Sequence, residues 1–199
     1  MKIYADIEQG TDEWKKLRQG KFTASNFATL FMKKTTAGYN DLINKVVFER
    51  LTGESPEEFS NKWTDRGTEL EPLALIAYSE KTFNLVERVA FVELDEWTGC
   101  SPDGLVGSVG MVQAKCPKYS TLMDYLISDT IPKDYAIQMQ GEMMCSGREW
   151  NDFWVWHPQF KPMLKRLERS ETVIKSIKEE LEIAIGEALN RIEKLNGKH

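Results

Sequence analysis

The sequence predicts an α/β domain of mixed α+β order, with a central mixed sheet flanked by helices. Three observations predict it. Apolar residues up to Thr82 recur at helical spacing, punctuated by caps and glycines. Residues 85–116 then switch to β-formers and turn signals, and residues 150–157 alternate in the same way. Helical spacing returns over residues 163–195.

Taken in order, residues 12–18 read as a short helix capped by Thr11 and ended by Gly20. Thr23-Ala24-Ser25 reads as the cap of a second helix running through Phe27, Leu30 and Phe31. A third covers residues 39–51, with Leu42, Val46 and Val47 in its apolar stripe, and stops at Thr52-Gly53. A fourth starts near Asp65 and continues from Pro72 to Thr82, with Leu70, Leu73, Leu75, Ile76 and Tyr78 as its apolar positions. Residues 85–94 are one strand or two short ones. Ser101-Pro102-Asp103-Gly104 suits a type I turn. Residues 105–106 and 111–116 form a hairpin around Gly107-Ser108-Val109-Gly110. Residues 134–145 are helical, Trp150 to His157 form another strand closed by Pro158, and 163–195 form one long C-terminal helix with a break at Gly186.

A length of 199 residues suits a single domain over 1–199, without repeat or linker. No apolar run approaches the roughly 18 residues that a membrane helix needs, and residues 1–6 lack the apolar core of a signal peptide. Cys100, Cys116 and Cys145 form no close pair in sequence, which fits a reduced, cytoplasmic protein. The net charge of -5 argues against a passive DNA coat, which needs Lys and Arg to displace counterions. Charge is uneven, however. Residues 14–34 hold Lys15, Lys16, Arg18, Lys21, Lys33 and Lys34 without one acid, whereas Glu54, Glu57, Glu58 and the last helix carry the acidic excess. A local basic face that grips a few phosphates remains compatible with this balance.

The hairpin carries the chemistry. Gln113 and Lys115, two apart on a strand, project to one face, and Asp103 at the start of the partner strand can sit beside them. A carboxylate, an amide and an ammonium then converge at one sheet end. A hard cation such as Mg²⁺ takes oxygen ligands of this kind, and the lysine can assist a water or stabilise charge on a phosphate under attack. Pro102-Asp103 followed by Gln113-Ala114-Lys115 matches the PD-(D/E)XK nuclease signature, although a turn Asp beside a strand Lys is most often solvated surface. Other residues read as structural: His157, the strand tryptophans Trp150, Trp154 and Trp156, and Cys116 beside Pro117. With two histidines, a His-based zinc site is improbable. Lys33-Lys34 suits either backbone phosphate or solvent.

Three further segments surround that signature in order. They are residues 14–25 (WKKLRQGKFTAS), residues 66–72 (RGTELEP) and Gln138-Met139-Gln140, set about Ser101-Pro102-Asp103-Gly104 and Lys115-Cys116-Pro117. Together the set resembles the YqaJ family of viral recombinases over roughly residues 8 to 160. The resemblance implies a restriction-endonuclease-like core and a Mg²⁺-dependent 5′→3′ exonuclease. Such an enzyme degrades one strand of linear double-stranded DNA and leaves 3′ single-stranded tails for phage-type recombination in a bacterial host. It implies one or two Mg²⁺ ions, replaceable by Mn²⁺, with Asp103 as central ligand, Glu71 in support, and the Ala114 carbonyl and Gln113 as further ligands. Lys115 would be catalytic. Arg18, Thr23 and Ser25 would form an anion pocket for the 5′-phosphate, with Gln138 close by. It also implies a homotrimeric ring and a single-strand annealing protein as partner. Independently of the resemblance, an Arg fork and two hydroxyls at a helix start suit a phosphate, although Thr23 and Ser25 would serve equally as caps.

One departure stands out: the family usually has a carboxylate where this chain has Gln113. An amide oxygen coordinates a cation without contributing charge, so metal affinity should fall. Three accounts stay open: a working variant, a member that has lost catalysis, or a substitution introduced to trap substrate. The alternatives in function are an endonuclease on the same core, a DNA-end-binding recombination module with impaired catalysis, and a scaffold built on the C-terminal helix.

Overall fold

The computed structural model describes residues 1–56 and 62–197, with side chains from residue 69 onward in the helix that opens at Lys62. Glu57 and Glu58 of the acidic cluster, and the side chains of Arg66 and Thr68, lie outside the described residues. The elements are β1 (Lys2–Tyr4), α1 (Asp12–Arg18), β2 (Phe22–Thr23), a 3-10 turn (Ala24–Asn26), α2 (Phe27–Leu30) and α3 (Ala37–Thr52). There follow α4 (Lys62–Thr82), β3 (Val86–Glu87), β4 (Phe91–Glu93), β5 (Thr98–Cys100), β6 (Gly104–Val106) and β7 (Gly110–Lys115). The remainder are α5 (Tyr119–Ser128), α6 (Lys133–Ser146), β8 (Trp150–Val155), β9 (Met163–Glu168) and α7 (Glu171–Asn196).

The mixed α/β class holds, with the strands divided between two mixed sheets. One has the order β1-β4-β5-β2, its last pair parallel. The other has the order β3-β6-β7-β8-β9, parallel only between β7 and β8. The expected hairpin is present, with Gly104 opposite Val112 and Val106 opposite Gly110. Ser101-Pro102-Asp103 is not a turn closed on itself. It is the bend that carries the chain from β5 in the first sheet to β6 in the second, and Gly104 is already paired in β6. Asp103 therefore stands where the two sheets meet.

Residues 85–94 do form two short strands, one in each sheet. The long helix expected over 163–195 is corrected. Met163–Glu168 is the edge strand β9, and the helix starts only at Glu171, capped by the Ser170 side chain. Each residue of β9 pairs with β8, so tertiary pairing overrides the helix propensity of Leu, Lys, Arg and Glu there. Gly186 does not break α7. The helix expected after Thr23 reduces to the 3-10 turn plus the four residues of α2. Leu73 and Ile76 of α4 are exposed rather than buried.

Two contacts fix α4 on the second sheet. The buried Asp152 of β8 accepts from Tyr78 Oη at 2.8 Å and from Arg166 Nε and Nη2 at 2.8 and 2.9 Å. Trp154 Nε1 donates to the Ala74 carbonyl at 2.8 Å. The tryptophans thus serve the core, as expected: Trp154 is fully buried and Trp150 lies beneath Arg166. On the other side, α6 packs against the 3-10 turn and α2. Gly141 makes this approach possible, because a Cβ there would meet the ring of fully buried Phe27 at 2.3 Å. Gly141→Ala should therefore destabilise the fold by about 1–3 kcal/mol through overpacking. Urea denaturation would show this as a lower midpoint, and an unchanged midpoint would contradict the packing described.

Candidate active site

Strand β7 presents three consecutive residues to one carboxylate oxygen. The Ala114 backbone N–H donates to Asp103 Oδ2 at 2.8 Å, Gln113 Nε2 donates to the same oxygen, and Lys115 Nζ lies 4.0 Å away. The pleat explains the set: Gln113 and Lys115 share a face, and the peptide between them turns its N–H to the partner bend. Lys115 also lies over the Tyr135 ring, 5.0 Å from its centroid, which restrains the flexible stem. Sequence placed Asp103, Gln113 and Lys115 together, and the structure does so.

Glu71, carried by α4, faces this group electrostatically. Burial, and then the negative charge of Asp103, push its carboxyl up to about 7, while Arg88 and Lys115 pull it down. Arg88 Nη2 donates to Glu71 Oε1 at 3.0 Å. Burial also raises Asp103, against the lowering effects of Lys115, the Ala114 N–H and Gln113. Two carboxyls raised by burial, one of them further raised by the charge of the other, suit a cation between them. Among the described residues, no three side chains of His, Cys, Asp and Glu gather into a metal cage. A hard divalent cation would therefore rest on Asp103, Glu71 and the Ala114 carbonyl, a donor set of oxygens that fits Mg²⁺ or Mn²⁺.

Behind Asp103 lies a buried acid that the sequence did not single out. Glu142 on α6 is almost wholly buried, accepting from Gln138 Nε2 at 2.8 Å and from Asn151 Nδ2 at 2.9 Å. Burial and the charge of Asp103 push it up to about 8. Gln138 Nε2 also donates to Gln113 Oε1 at 2.8 Å, so Gln138 belongs to the Asp103 group. Gln138, expected close to the Arg18 pocket, is tied by these bonds to Gln113 and Glu142. The spacing of Gln138 and Glu142, one helical turn apart on α6, was the available signal.

The basic N-terminal segment forms a second cluster. Arg18 Nη1 donates to Ser101 Oγ at 2.9 Å, and Nη2 reaches Thr23 Oγ1 at 3.4 Å. Thr23 Oγ1 and Ser25 Oγ are 3.1 Å apart. Trp14 stacks beneath the guanidinium, 4.4 Å from ring centroid to Cζ, and its Nε1 donates to Ser101 Oγ at 2.9 Å. Ser101 is the residue missed here, and it stands two positions before Asp103. Arg18, Thr23 and Ser25 are thus brought together, and one bend joins them to the acid site. The other cations of the basic run are partly spent: Lys15, Lys21 and Lys34 pair with Asp12, Glu93 and Glu180. His157 stacks edge-on against Phe160, in keeping with a structural role.

The raised acids make stability pH-dependent. Glu71 and Glu142 keep protons in the folded chain that the unfolded chain has already released, so their contribution is complete below the ordinary glutamate pKa. It is lost as pH rises through about 7 for Glu71 and about 8 for Glu142. In chelator, unfolding free energy should fall with rising pH by at most ~1.4 kcal/mol per unit per group. Glu142→Gln should flatten the decline between pH 7 and 8, as followed by urea denaturation; a slope equal to the parent's would contradict the burial assigned to Glu142.

With this geometry in place, comparison with known proteins is informative. The model of the YqaJ-like viral recombinase domain matches residues 13–149, a span containing Arg18, Thr23, Ser25, Glu71, Asp103, Gln113, Lys115 and Gln138. The crystal structure of an alkaline exonuclease (LHK-Exo) from Laribacter hongkongensis superposes with a TM-score of 0.88 at 32% identity, covering 94% of this chain and 97% of that one. The structure of LHK-Exo in complex with dAMP gives 0.89 at 34% identity, with the same coverage. A phage related exonuclease from Haemophilus somnus 129PT shares the fold, with a TM-score of 0.69 at 18% identity over 90% of this chain and 98% of that one. No curated protein sequence matches the chain. The ordered segments, the site they build and the match across both clusters lead to one assignment: the chain belongs to the YqaJ-like viral recombinase family.

Proposed function

We propose that this chain is a Mg²⁺-dependent nuclease that digests one strand of linear duplex DNA from its 5′-phosphorylated end, leaving a 3′ single-stranded tail. One observation carries the reading. Ser101-Pro102-Asp103 links an Arg18-centred anion pocket directly to a buried acid-and-lysine site. A terminal phosphate held by Arg18, Thr23 and Ser25 would set the next phosphodiester a fixed distance along the strand, over Asp103 and Lys115. Kinship with the alkaline exonuclease of Laribacter hongkongensis supports an end-directed activity.

Asp103, Glu71 and the Ala114 carbonyl would hold the cation. The chemistry such an ion supplies is polarisation of the phosphoryl oxygen and activation of water. Lys115 Nζ, restrained by Tyr135 and facing Asp103, is placed to stabilise negative charge on the phosphate. Arg18 grips the terminal phosphate with its planar fork. Family resemblance extends the reading to a homotrimeric ring around DNA, with a single-strand annealing protein receiving the tail. No helix among the described residues is long and apolar enough to cross a membrane. A second reading, an end-binding protein of impaired catalysis, is favoured by Gln113, which places an uncharged amide against Asp103.

Linear duplex carrying a 5′-phosphate or a 5′-hydroxyl, incubated with Mg²⁺ or Mn²⁺, separates the readings. Progressive digestion of the 5′-phosphorylated strand is expected. Asp103→Ala should abolish it, and Lys115→Ala should slow it by about 100- to 1000-fold. Arg18→Ala should erase the preference for the phosphorylated end. Gln113→Glu should raise activity and metal affinity. Internal cleavage of closed circles would point to an endonuclease instead, and end binding without cleavage under either metal would establish the second reading.

A further inference from the structure

We infer that Gln113 does not ligate the cation in this chain but is a positioning residue, its amide nitrogen kept on Asp103 by the side chain of Gln138. The inference rests on the cation site proposed above. Hydrogen-bond polarity supports it. Glu142 is almost wholly buried, and both its oxygens accept: Oε1 from Gln138 Nε2 at 2.8 Å and Oε2 from Asn151 Nδ2 at 2.9 Å. Once Glu142 is ionised, above about pH 8, it can only accept, and that fixes the nitrogen end of Gln138 between Glu142 and Gln113. The same Nε2 donates to Gln113 Oε1 at 2.8 Å, so the oxygen of Gln113 is already taken, and its nitrogen faces Asp103 Oδ2. For Gln113 to offer its oxygen to a cation, its amide would have to turn over. Its nitrogen would then meet the nitrogen of Gln138, and turning Gln138 as well would set an oxygen against the ionised Glu142 carboxylate. Gln113 is 1% exposed, so no solvent would satisfy the displaced groups.

The position where the family usually has an acid is thus held here as a donor that orients Asp103. Two hydrogen bonds and one ion pair from β7 converge on Oδ2, and none of the three falls on Oδ1. Oδ1 is therefore the oxygen through which Asp103 would meet a cation.

The test uses the full chain without DNA at pH 9, above the pH at which Glu142 loses its proton. Mn²⁺ binding is followed by electron paramagnetic resonance of the free ion, and the Gln113 side-chain NH₂ by ¹H–¹⁵N NMR, assigned by its loss in Gln113→Glu. In the parent, the Gln113 NH₂ should keep its shift and its slow solvent exchange at saturating Mg²⁺. Loss of that protection on adding Mg²⁺ would overturn the inference, and this measurement requires no variant beyond the one used for assignment. Gln138→Met leaves the charge unchanged and frees the Gln113 amide to turn. Mn²⁺ should then bind more tightly, on the order of 10-fold, and the gain should vanish when Gln113→Ala is added. No gain, or a gain that survives Gln113→Ala, would overturn the inference while leaving the cation site intact. If Asp103→Asn leaves Mn²⁺ binding unaltered in the parent, the cation site itself is wrong and the inference falls with it.

Discussion

Asp103 Oδ2 is a single acceptor served by a backbone N–H, an amide and an ammonium, all from three consecutive residues of β7. A carboxylate at this depth is costly unless its charge is answered. The answer here comes from one strand, which is why the bend 101–103 and β7 must keep their register. The hairpin turn at 107–109 and the parallel pairing of β7 with β8 maintain that register along the whole length of the strand. A slip of one residue would exchange the faces of Gln113 and Lys115 for those of Val112 and Ala114. The rest of the molecule is arranged around keeping this one carboxylate where it is.

The same bend carries the functional logic. Ser101 accepts from Arg18 and Trp14, so the anion cluster on the first sheet and the acid site on the second share a backbone of three residues. Helix α4 is tied to β8 through Asp152 and Trp154, and it delivers Glu71. Helix α6 is brought close by Gly141, and it delivers Gln138 and Glu142. Three carboxyls with raised pKa values within one electrostatic group represent stability given up locally. Such perturbation clusters where charge is destined to meet a counter-charge. A divalent cation bound here would relieve the repulsion that Asp103 exerts on Glu71, so its binding would stabilise the folded site.

Much of this was legible in the sequence, and the reasons are local. The β6–β7 hairpin could be read because Gly107 and Gly110 bracket a two-residue turn between the apolar pairs Leu105-Val106 and Met111-Val112. Strand periodicity put Gln113 and Lys115 on one face, the turn signature put Asp103 beside them, and the family segments made the set specific. Arg18, Thr23, Ser25 and Glu71 became visible through the ordered family segments, since each alone is an ordinary cap or surface residue. Strand β9 was hidden because Met163–Glu168 is made of good helix formers, and only its partner β8 makes it a strand. Glu142 was hidden for a different reason: an acid in a helix reads as solvated, and only the packing of α6 against β5 and β8 shows it to be buried. The division into two sheets also depends on tertiary pairing, as β1 and β2 are too short to announce themselves.

Anomalous diffraction from crystals of the chain soaked in Mn²⁺ tests most directly whether the Asp103 group holds a divalent cation. One peak or two is expected within coordination distance of Asp103 Oδ1, the Ala114 carbonyl and Glu71, and none in crystals of Asp103→Asn. Full Mn²⁺ occupancy elsewhere on the protein, with no anomalous density at Asp103, would contradict a cation site there.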